Sequence, residues 1–332
     1  MSKLTAQIFR GNILESYHEV KCFIGSINGK VIFSTNNESD LIYPRSSIKI
    51  FQGIPFSESK AINLYNLNRK QIALSCSSHC GESFHIKELK SWLKKTKLKA
   101  SDLKCGIHNP LNKESSEKLF LSGKKPFQLH NNCAGKHLAM LSSCLANNYS
   151  IENYVDFNHP HQKKIREIFN HFTETKISKK YYGIDGCSAP QYSFKIKDIG
   201  KALSNLLKSY NGNFDYSAYT KVMINCILKN PLYIGGSNNF DTNLIKISEK
   251  NIFCKGGAEG VFLFIHFKKG IFGVLKVTDG NERVLPSAVY TLCKKFNLLN
   301  KEELSKFKSW NNFILFNHAK VKIGNIKTII EQ

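Results

Sequence analysis

The chain is 332 residues long, 42% hydrophobic, and carries a formal net charge of +23. That length suits one large domain or two with a substantial core, and no run of about 18 apolar residues is present to form a membrane-spanning helix. The basic excess comes from 43 lysines against five arginines, scattered along the chain. Because base and phosphate readout recruits arginine, the charge reads as a solvated surface that attracts anions nonspecifically, with no specific nucleic-acid partner and no membrane partner. The first ten residues lack an apolar signal core, so a cytoplasmic protein is expected. Its ten cysteines are then expected as thiols or metal ligands rather than disulfides.

Taken in chain order, residues 20–35 hold two β-rich runs flanking Asn28-Gly29, a hairpin signal. Residues 36–44 form a polar loop. Pro44 disfavours helix at Tyr43, so a helix is expected to start at Arg45 or Ser46. Helical periodicity then predicts elements at 57–68, 85–96, 132–147, 159–172, 196–209 and 216–228. Asn131 or Asn132 is the expected cap of the third, placing Cys133 in its first turn. Residues 176–194 read as an irregular loop carrying Asp185 and Cys187. Strands are expected at 251–254, 260–267 and 271–277, and a last helix at about 284–296.

Strands at both ends around a helical middle predict an α+β class. One antiparallel sheet is built from the N- and C-terminal parts, with an inserted helical lobe. The whole chain, 1–332, reads as a single catalytic domain. Its sheet lobe spans about 1–56 and 245–332, and its helical lobe about 57–244.

Ser46 and Lys49 stand three residues apart, which on a helix puts a hydroxyl and an amine on one face. A serine beside a neutral lysine is a nucleophile-and-base pair. The pattern is common here, recurring at Ser57/Lys60, Ser91/Lys94, Ser101/Lys104, Ser115/Lys118, Ser122/Lys125 and Ser305/Lys308. The preceding proline and the expected helix start single out Ser46. A serine-lysine helix after the first hairpin, and Lys255-Gly-Gly on a late strand, match the layout of serine β-lactamases and transpeptidases. Lys49 acts as a base only when neutral, a state favoured by burial and by nearby cations such as Lys255 or Lys136.

Six segments together resemble the Rhizobium-type (class 3) L-asparaginases in order and spacing. They are Arg45-Ser-Ser-Ile-Lys49, Ser78-His-Cys-Gly-Glu82, Asn132-Cys-Ala-Gly-Lys-His137, Asp185-Gly-Cys187, Phe240-Asp-Thr242 and Lys255-Gly-Gly-Ala-Glu-Gly260. The resemblance implies a serine β-lactamase-like fold, a homodimer, and hydrolysis of L-asparagine to L-aspartate and ammonia. It also implies Ser46 as nucleophile and Lys49 as its base, with Ser78 and Lys255 completing the reactive group. A zinc ion held by Cys133, Lys136 and Cys187 is implied beside the substrate, with Arg45, His137 and Asp185 lining the substrate site. By spacing alone, Cys-x-x-Lys with one distant Cys is not a standard zinc pattern, and Cys76-x-x-x-Cys80 is a competing pair.

Three positions depart from the family's usual pattern. Ile50 stands where proline is common, Cys80 where serine or asparagine is usual, and Asn239 where arginine often precedes Phe-Asp-Thr. Two other readings remain open on sequence: a β-lactamase-like serine hydrolase acting on another substrate, and a non-enzymatic zinc-stabilised binding module. If Arg45 meets the carboxylate of a free amino acid and Asp185 its ammonium, the distance to Ser46 is set. The extra methylene of glutamine then misplaces its amide, and asparagine is the expected substrate.

Overall fold

The structure, a computed structural model, describes residues 2–311 and 313–331. The chain divides into two compact units. The first unit takes both chain ends, up to Ser47 and from Leu244 onward, together with Phe194–Leu207. The second takes Ile48–Ser193 and Lys208–Asn243. The α+β class is borne out: the first unit holds the antiparallel sheet and most helices belong to the second. Among the described residues, no helix is long and apolar enough to cross a membrane.

The sheet of the first unit runs Ile314–Phe316, Lys322–Glu331, Lys3–Arg10, Ile13–Ser26, Ile271–Val277, Val261–His266, Ile252–Gly257, with Val31–Ser34 also pairing Ile13–Ser26. The two chain termini are therefore neighbours, Lys3 opposite Glu331. Alternation writes the faces: Leu4, Ala6 and Ile8 are buried in one strand and His18, Val20, Cys22 and Ile24 in the next, as a period of two requires. The hairpin read at Asn28-Gly29 is present. Gly29 takes φ +82° and its N–H reaches the Ser26 carbonyl at 2.9 Å. The expected last helix appears as Leu285–Lys295, which packs on the strands Lys3–Arg10 and Lys322–Glu331.

The second unit is organised around the helix Lys49–Glu58, in which Lys49 to Ser57 are all buried. A helix covered on every side must be apolar on every side, and Ile50, Phe51, Ile54 and Phe56 supply that surface. Three helices surround it: Ala134–Ala146, Pro160–Thr173 and Ser217–Lys229. Phe51 meets Phe172 at 5.3 Å and Phe169 at 6.0 Å between ring centroids. Phe56 meets Trp92 at 5.5 Å, and the indole N–H of Trp92 donates to Ser142 Oγ at 3.0 Å.

Four expectations need correction. No single helix spans 57–68. The central helix ends at Glu58, Lys60 turns left-handed at φ +62°, and only Ala61–Leu64 is helical beyond it. The 176–194 segment is not wholly irregular, since Tyr182–Ile184 pairs with Pro190–Tyr192 in a short hairpin. Neither Asn131 nor Asn132 is the cap residue of Ala134–Ala146. Cys133 holds that position, and Asn131 supports it by accepting the Cys133 N–H at 2.9 Å. The helix expected at Arg45 or Ser46 opens instead as the 3-10 turn Arg45–Ile48, with α geometry from Lys49.

Gly135, on the helix Ala134–Ala146, gives a direct test of this packing. A Cβ built there would lie 2.1 Å from the Leu74 carbonyl oxygen, a backbone atom that cannot swing aside. In an open helix, alanine in place of glycine gains about 1 kcal/mol. Here overpacking, typically ~1–3 kcal/mol, outweighs that gain. Gly135→Ala is therefore expected to lower the urea midpoint. A raised or unchanged midpoint would show that the two segments are not in this close contact.

Candidate active site

Within the first unit, Ser46 lies in the turn Arg45–Ile48. Leu41–Ile42 pairs with Phe194–Lys195 and fixes the approach of the chain. Pro44 then presents its carbonyl to both Ser47 N–H (3.2 Å) and Ser47 Oγ (2.6 Å). The first of these is an i−3 contact, which is why the turn is 3-10. Arg45 takes φ +53°, a conformation a non-glycine residue holds only where its surroundings impose it.

The strand Ile252–Gly257 ends against this turn. A Cβ on Gly257 would stand 2.6 Å from Pro44 O, 3.0 Å from Ser47 N and 3.2 Å from Ser46 N. Glycine is needed at this point for space. Lys255 is two residues earlier and so on the same strand face. It is 2% exposed and its ammonium donates to the Gly256 carbonyl at 2.8 Å. The first unit thus brings Arg45, Ser46 and the Lys255 strand face together.

Within the second unit, Lys49 is the charged residue of the buried run Lys49–Ser57 and has no exposed surface. Burying an amine demands polar partners. Lys49 Nζ reaches the Ser77 carbonyl, Ser78 Oγ at 3.1 Å and Cys133 Sγ at 3.2 Å. Burial also sorts this lysine from its rivals: the lysines of all six other Ser-x-x-Lys copies are exposed. Among the described residues the buried lysines are Lys49, Lys136 and Lys255, the three singled out from the sequence.

From Cys133 the polar contacts continue. Cys133 and Cys187 are close enough to shift each other's titration, and Lys136 Nζ donates to Cys187 Sγ at 3.0 Å. The interaction with Cys133 is the main cause that draws the Cys187 thiol down to about 5, aided by Lys136 against the cost of burial. The same interaction, with burial, pushes Cys133 up to about 12. Burial alone would lower Lys136, but Cys187, Cys133 and Asp185 outweigh it and hold the amine protonated. The cluster thus favours the thiolate form at Cys187, which accepts from Lys136.

Asp185 sits beside it, its Oδ2 3.9 Å from Cys187 Sγ, while its Oδ1 accepts the Gly186 N–H at 2.9 Å. It forms the local turn and also reaches the cluster. His137 is fully buried next to Lys136; burial first, and Lys136 second, press it down to about 3, so the ring is neutral. Lys49, Ser78, Cys133, Lys136, His137, Asp185 and Cys187 therefore assemble in one unit from segments far apart in sequence. No group of three or more His, Cys, Asp or Glu side chains placed to hold a metal occurs among the described residues, so a metal at this point depends on Lys136 as a ligand.

Some participants gave no usable signal in the sequence. Tyr154 stands alone in a polar loop, yet its hydroxyl meets His137 Nδ1 at 2.6 Å. Cys105 feels the charges of Cys133, Cys187 and Lys136 but belongs to no spacing pattern with them. Glu82, within a quoted segment, accepts from Ser237 N (2.8 Å) and Ser237 Oγ (2.6 Å), tying residue 237 to the 78–82 segment. Of the departures, Asn239 precedes the helix Phe240–Ile247 and receives its Thr242 N–H at 3.4 Å. Cys80 is braced by its backbone, N–H to the Gly235 carbonyl (2.8 Å) and carbonyl from Asn112 N–H (2.9 Å). Its proposed competitor role with Cys76 gains nothing here, because Cys76 Sγ turns to the Lys49 carbonyl at 3.6 Å.

A family model described as L-asparaginase II matches residues 6–328. The chain belongs to that family and is a hydrolase of amide C–N bonds with L-asparagine as substrate. The resemblance read from the six segments is thereby borne out at the level of the family. No curated protein matches the chain. Among solved structures, a candidate beta-lactamase from Bacteroides dorei DSM 17855 is similar, at 10% identity over 88% of this chain and 93% of that chain, with a TM-score of 0.37.

The contact between Gly257 and the Ser46 turn yields a kinetic expectation. Gly257→Ala must displace the turn by several tenths of an ångström, and misplacing a reacting group by about 1 Å can cost on the order of a hundredfold in rate. Ammonia release from asparagine is expected to fall at least about tenfold, while overpacking lowers the melting temperature without unfolding the protein at the assay temperature. An unchanged kcat would show that the turn carries no reacting group.

Proposed function

We propose that the chain hydrolyses the side-chain amide of free L-asparagine through a Ser46 acyl-enzyme, as a cytoplasmic homodimer. The observation that carries the mechanism is the complete burial of Lys49, three residues after Ser46 in the chain, with Ser78 Oγ and Cys133 Sγ as its partners. In the first half-reaction the Ser46 hydroxyl gives its proton to neutral Lys49 and its oxygen bonds the amide carbon. The tetrahedral adduct then collapses, the C–N bond breaks, and the nitrogen leaves as ammonia with a proton returned by Lys49, assisted by Ser78. Water next attacks the ester, again losing a proton to Lys49, and aspartate departs with Ser46 restored. Lys255 stabilises negative charge that develops on oxygen. Arg45 meets the substrate carboxylate and Asp185 its ammonium, and His137 lines the same site. Homodimer assembly rests on the resemblance of the six segments, and the free state of all ten cysteines suits a reducing compartment.

Zinc fits the residues present. Cys133 and Cys187 sulfurs and the Lys136 nitrogen converge in a buried cluster that already holds one sulfur as thiolate, and soft sulfur donors with one amine suit that ion. Bound there by Cys133, Lys136 and Cys187, zinc would supply Lewis-acid polarisation of a substrate oxygen. Both cysteines must then be thiolates and Lys136 neutral.

The nucleophile is tested by Ser46→Ala, with ammonia release from asparagine as the readout. Turnover is expected to drop by roughly a thousandfold or more with the fold unchanged by circular dichroism. Lys49→Arg is expected to be equally inactive, because guanidinium stays protonated. Retention of more than about a tenth of the activity by Ser46→Ala would overturn the assignment.

The metal is tested by elemental analysis of protein purified without chelators, which is expected to contain zinc and to lose it in Lys136→Ala. A chain of this size has its own core, so chelation should raise KM for asparagine more than it lowers Tm. Absence of zinc in the purified protein removes the site, and global unfolding on chelation makes it structural instead.

A further inference from the structure

His137 lies on the helix Ala134–Ala146 with no exposed surface. Its two ring nitrogens have different surroundings. Nδ1 is 2.6 Å from the Tyr154 hydroxyl. Nε2 is buried and has no hydrogen-bond partner among the described residues. The charged groups acting on the ring are Lys136, Cys133, Lys49 and Asp185, so the imidazole adjoins the polar cluster described above.

Tyr154 is itself held from three sides. Its side chain is fully buried, its carbonyl accepts from Gln162 Nε2 at 2.8 Å, and its hydroxyl oxygen accepts the Lys104 backbone N–H at 2.8 Å. The third contact settles the protons. A backbone N–H only donates, so it occupies a lone pair of the phenol oxygen and leaves the phenol its own proton. The partner for that proton is His137 Nδ1. An imidazole whose Nδ1 accepts a hydrogen bond is unprotonated there, so its ring proton is at Nε2. The reverse arrangement, with Nδ1–H donating to Tyr154, would strand a buried O–H without an acceptor.

We infer that Tyr154 is a positioning residue that locks His137 as its Nε2–H tautomer, making Nε2–H an obligatory donor to an acceptor oxygen of the substrate, a carboxylate or an amide carbonyl. Among the described residues this donor has no protein acceptor, and a substrate oxygen brought to it would supply one. A buried donor left unpaired discriminates strongly against molecules that bring no acceptor to it. A ligand presenting an ammonium at that point is rejected, which gives the site a means of fixing which end of an amino acid lies beside His137. This inference rests on the reading that His137 lines the substrate site.

The test uses the full chain labelled with 15N-histidine, with the His137 signal assigned by its loss in His137→Gln. The wild type is expected to show a protonated Nε2 and a bare Nδ1. In Tyr154→Phe the two nitrogen shifts should move toward a mixture of tautomers, and KM for asparagine should rise about fivefold or more. Because that variant also strands the Lys104 N–H, a second pair separates tautomer from packing. In His137→Gln the amide nitrogen can stand where Nε2–H stood, whereas in His137→Asn the amide occupies the Nδ1 position. His137→Gln is expected to keep a KM several-fold lower than His137→Asn. A protonated Nδ1 in the wild type, an unmoved tautomer in Tyr154→Phe, or a better KM in His137→Asn would each overturn the inference. If the wild type shows the expected tautomer but releases no ammonia from asparagine, it is the proposed reaction that fails.

Discussion

A primary amine with no exposed surface, at the first position of a buried and mostly apolar helix, is the constraint from which the second unit is built. Lys49 cannot be buried there without acceptors and donors around it, and its own helix offers none at its N-terminal end. They come from Ser77, Ser78 and Cys133, two segments that lie 28 and 84 residues further along the chain. Each arrives because something else holds it. Glu82 ties the 78–82 segment to Ser237, and Asn131 fixes Cys133 through its N–H while its own amide holds the Cys105 carbonyl at 2.7 Å. Cys133 then hands the polarity on to Cys187 and Lys136.

Such a network is poor material for stability. Desolvating a protonated lysine and a thiolate costs several kcal/mol per ion in a low-dielectric interior, and well-packed apolar residues of similar volume commonly serve the fold as well or better. The neighbouring aromatic cluster of Phe51, Phe169 and Phe172 shows that the same helix packs well without polar groups. The arrangement is therefore explained by chemistry rather than by folding: a low-lying thiol and a protonated amine, with a neutral imidazole nearby, form a polar set awaiting a polar guest. The family to which the chain belongs acts on a small, fully polar amino acid, which is such a guest.

Much of this was legible in the sequence, for identifiable reasons. The helices at 85–96, 159–172 and 216–228 show a 3.6-residue apolar period and were found within a residue or two of their observed bounds. The turn at Gly29 carries its own chemistry. What could not be read depends on tertiary contact. The strand Lys322–Glu331 is only half-buried along its length and is specified by pairing with Lys3–Arg10 from the far end of the chain. The short helices Arg69–Leu74 and Phe240–Ile247 are brief enough that periodicity has nothing to repeat. Tyr154 and Cys105 are single residues whose importance lies wholly in what folds against them.

The lysine-rich composition is where sequence and structure inform each other most. With 43 lysines in the chain, chance produces Ser-x-x-Lys repeatedly, and spacing alone cannot rank the copies. Compositional bias can act freely at solvated positions, where lysine replaces other polar residues at little cost. It has no such freedom in the interior, where each lysine needs specific partners. The lysines of the six chance copies are exposed, while Lys49, Lys136 and Lys255 are 0%, 3% and 2% exposed. A lysine that stays buried in a chain so able to place lysines on its surface is there because a neutral amine, or a fixed positive charge, is required at that point.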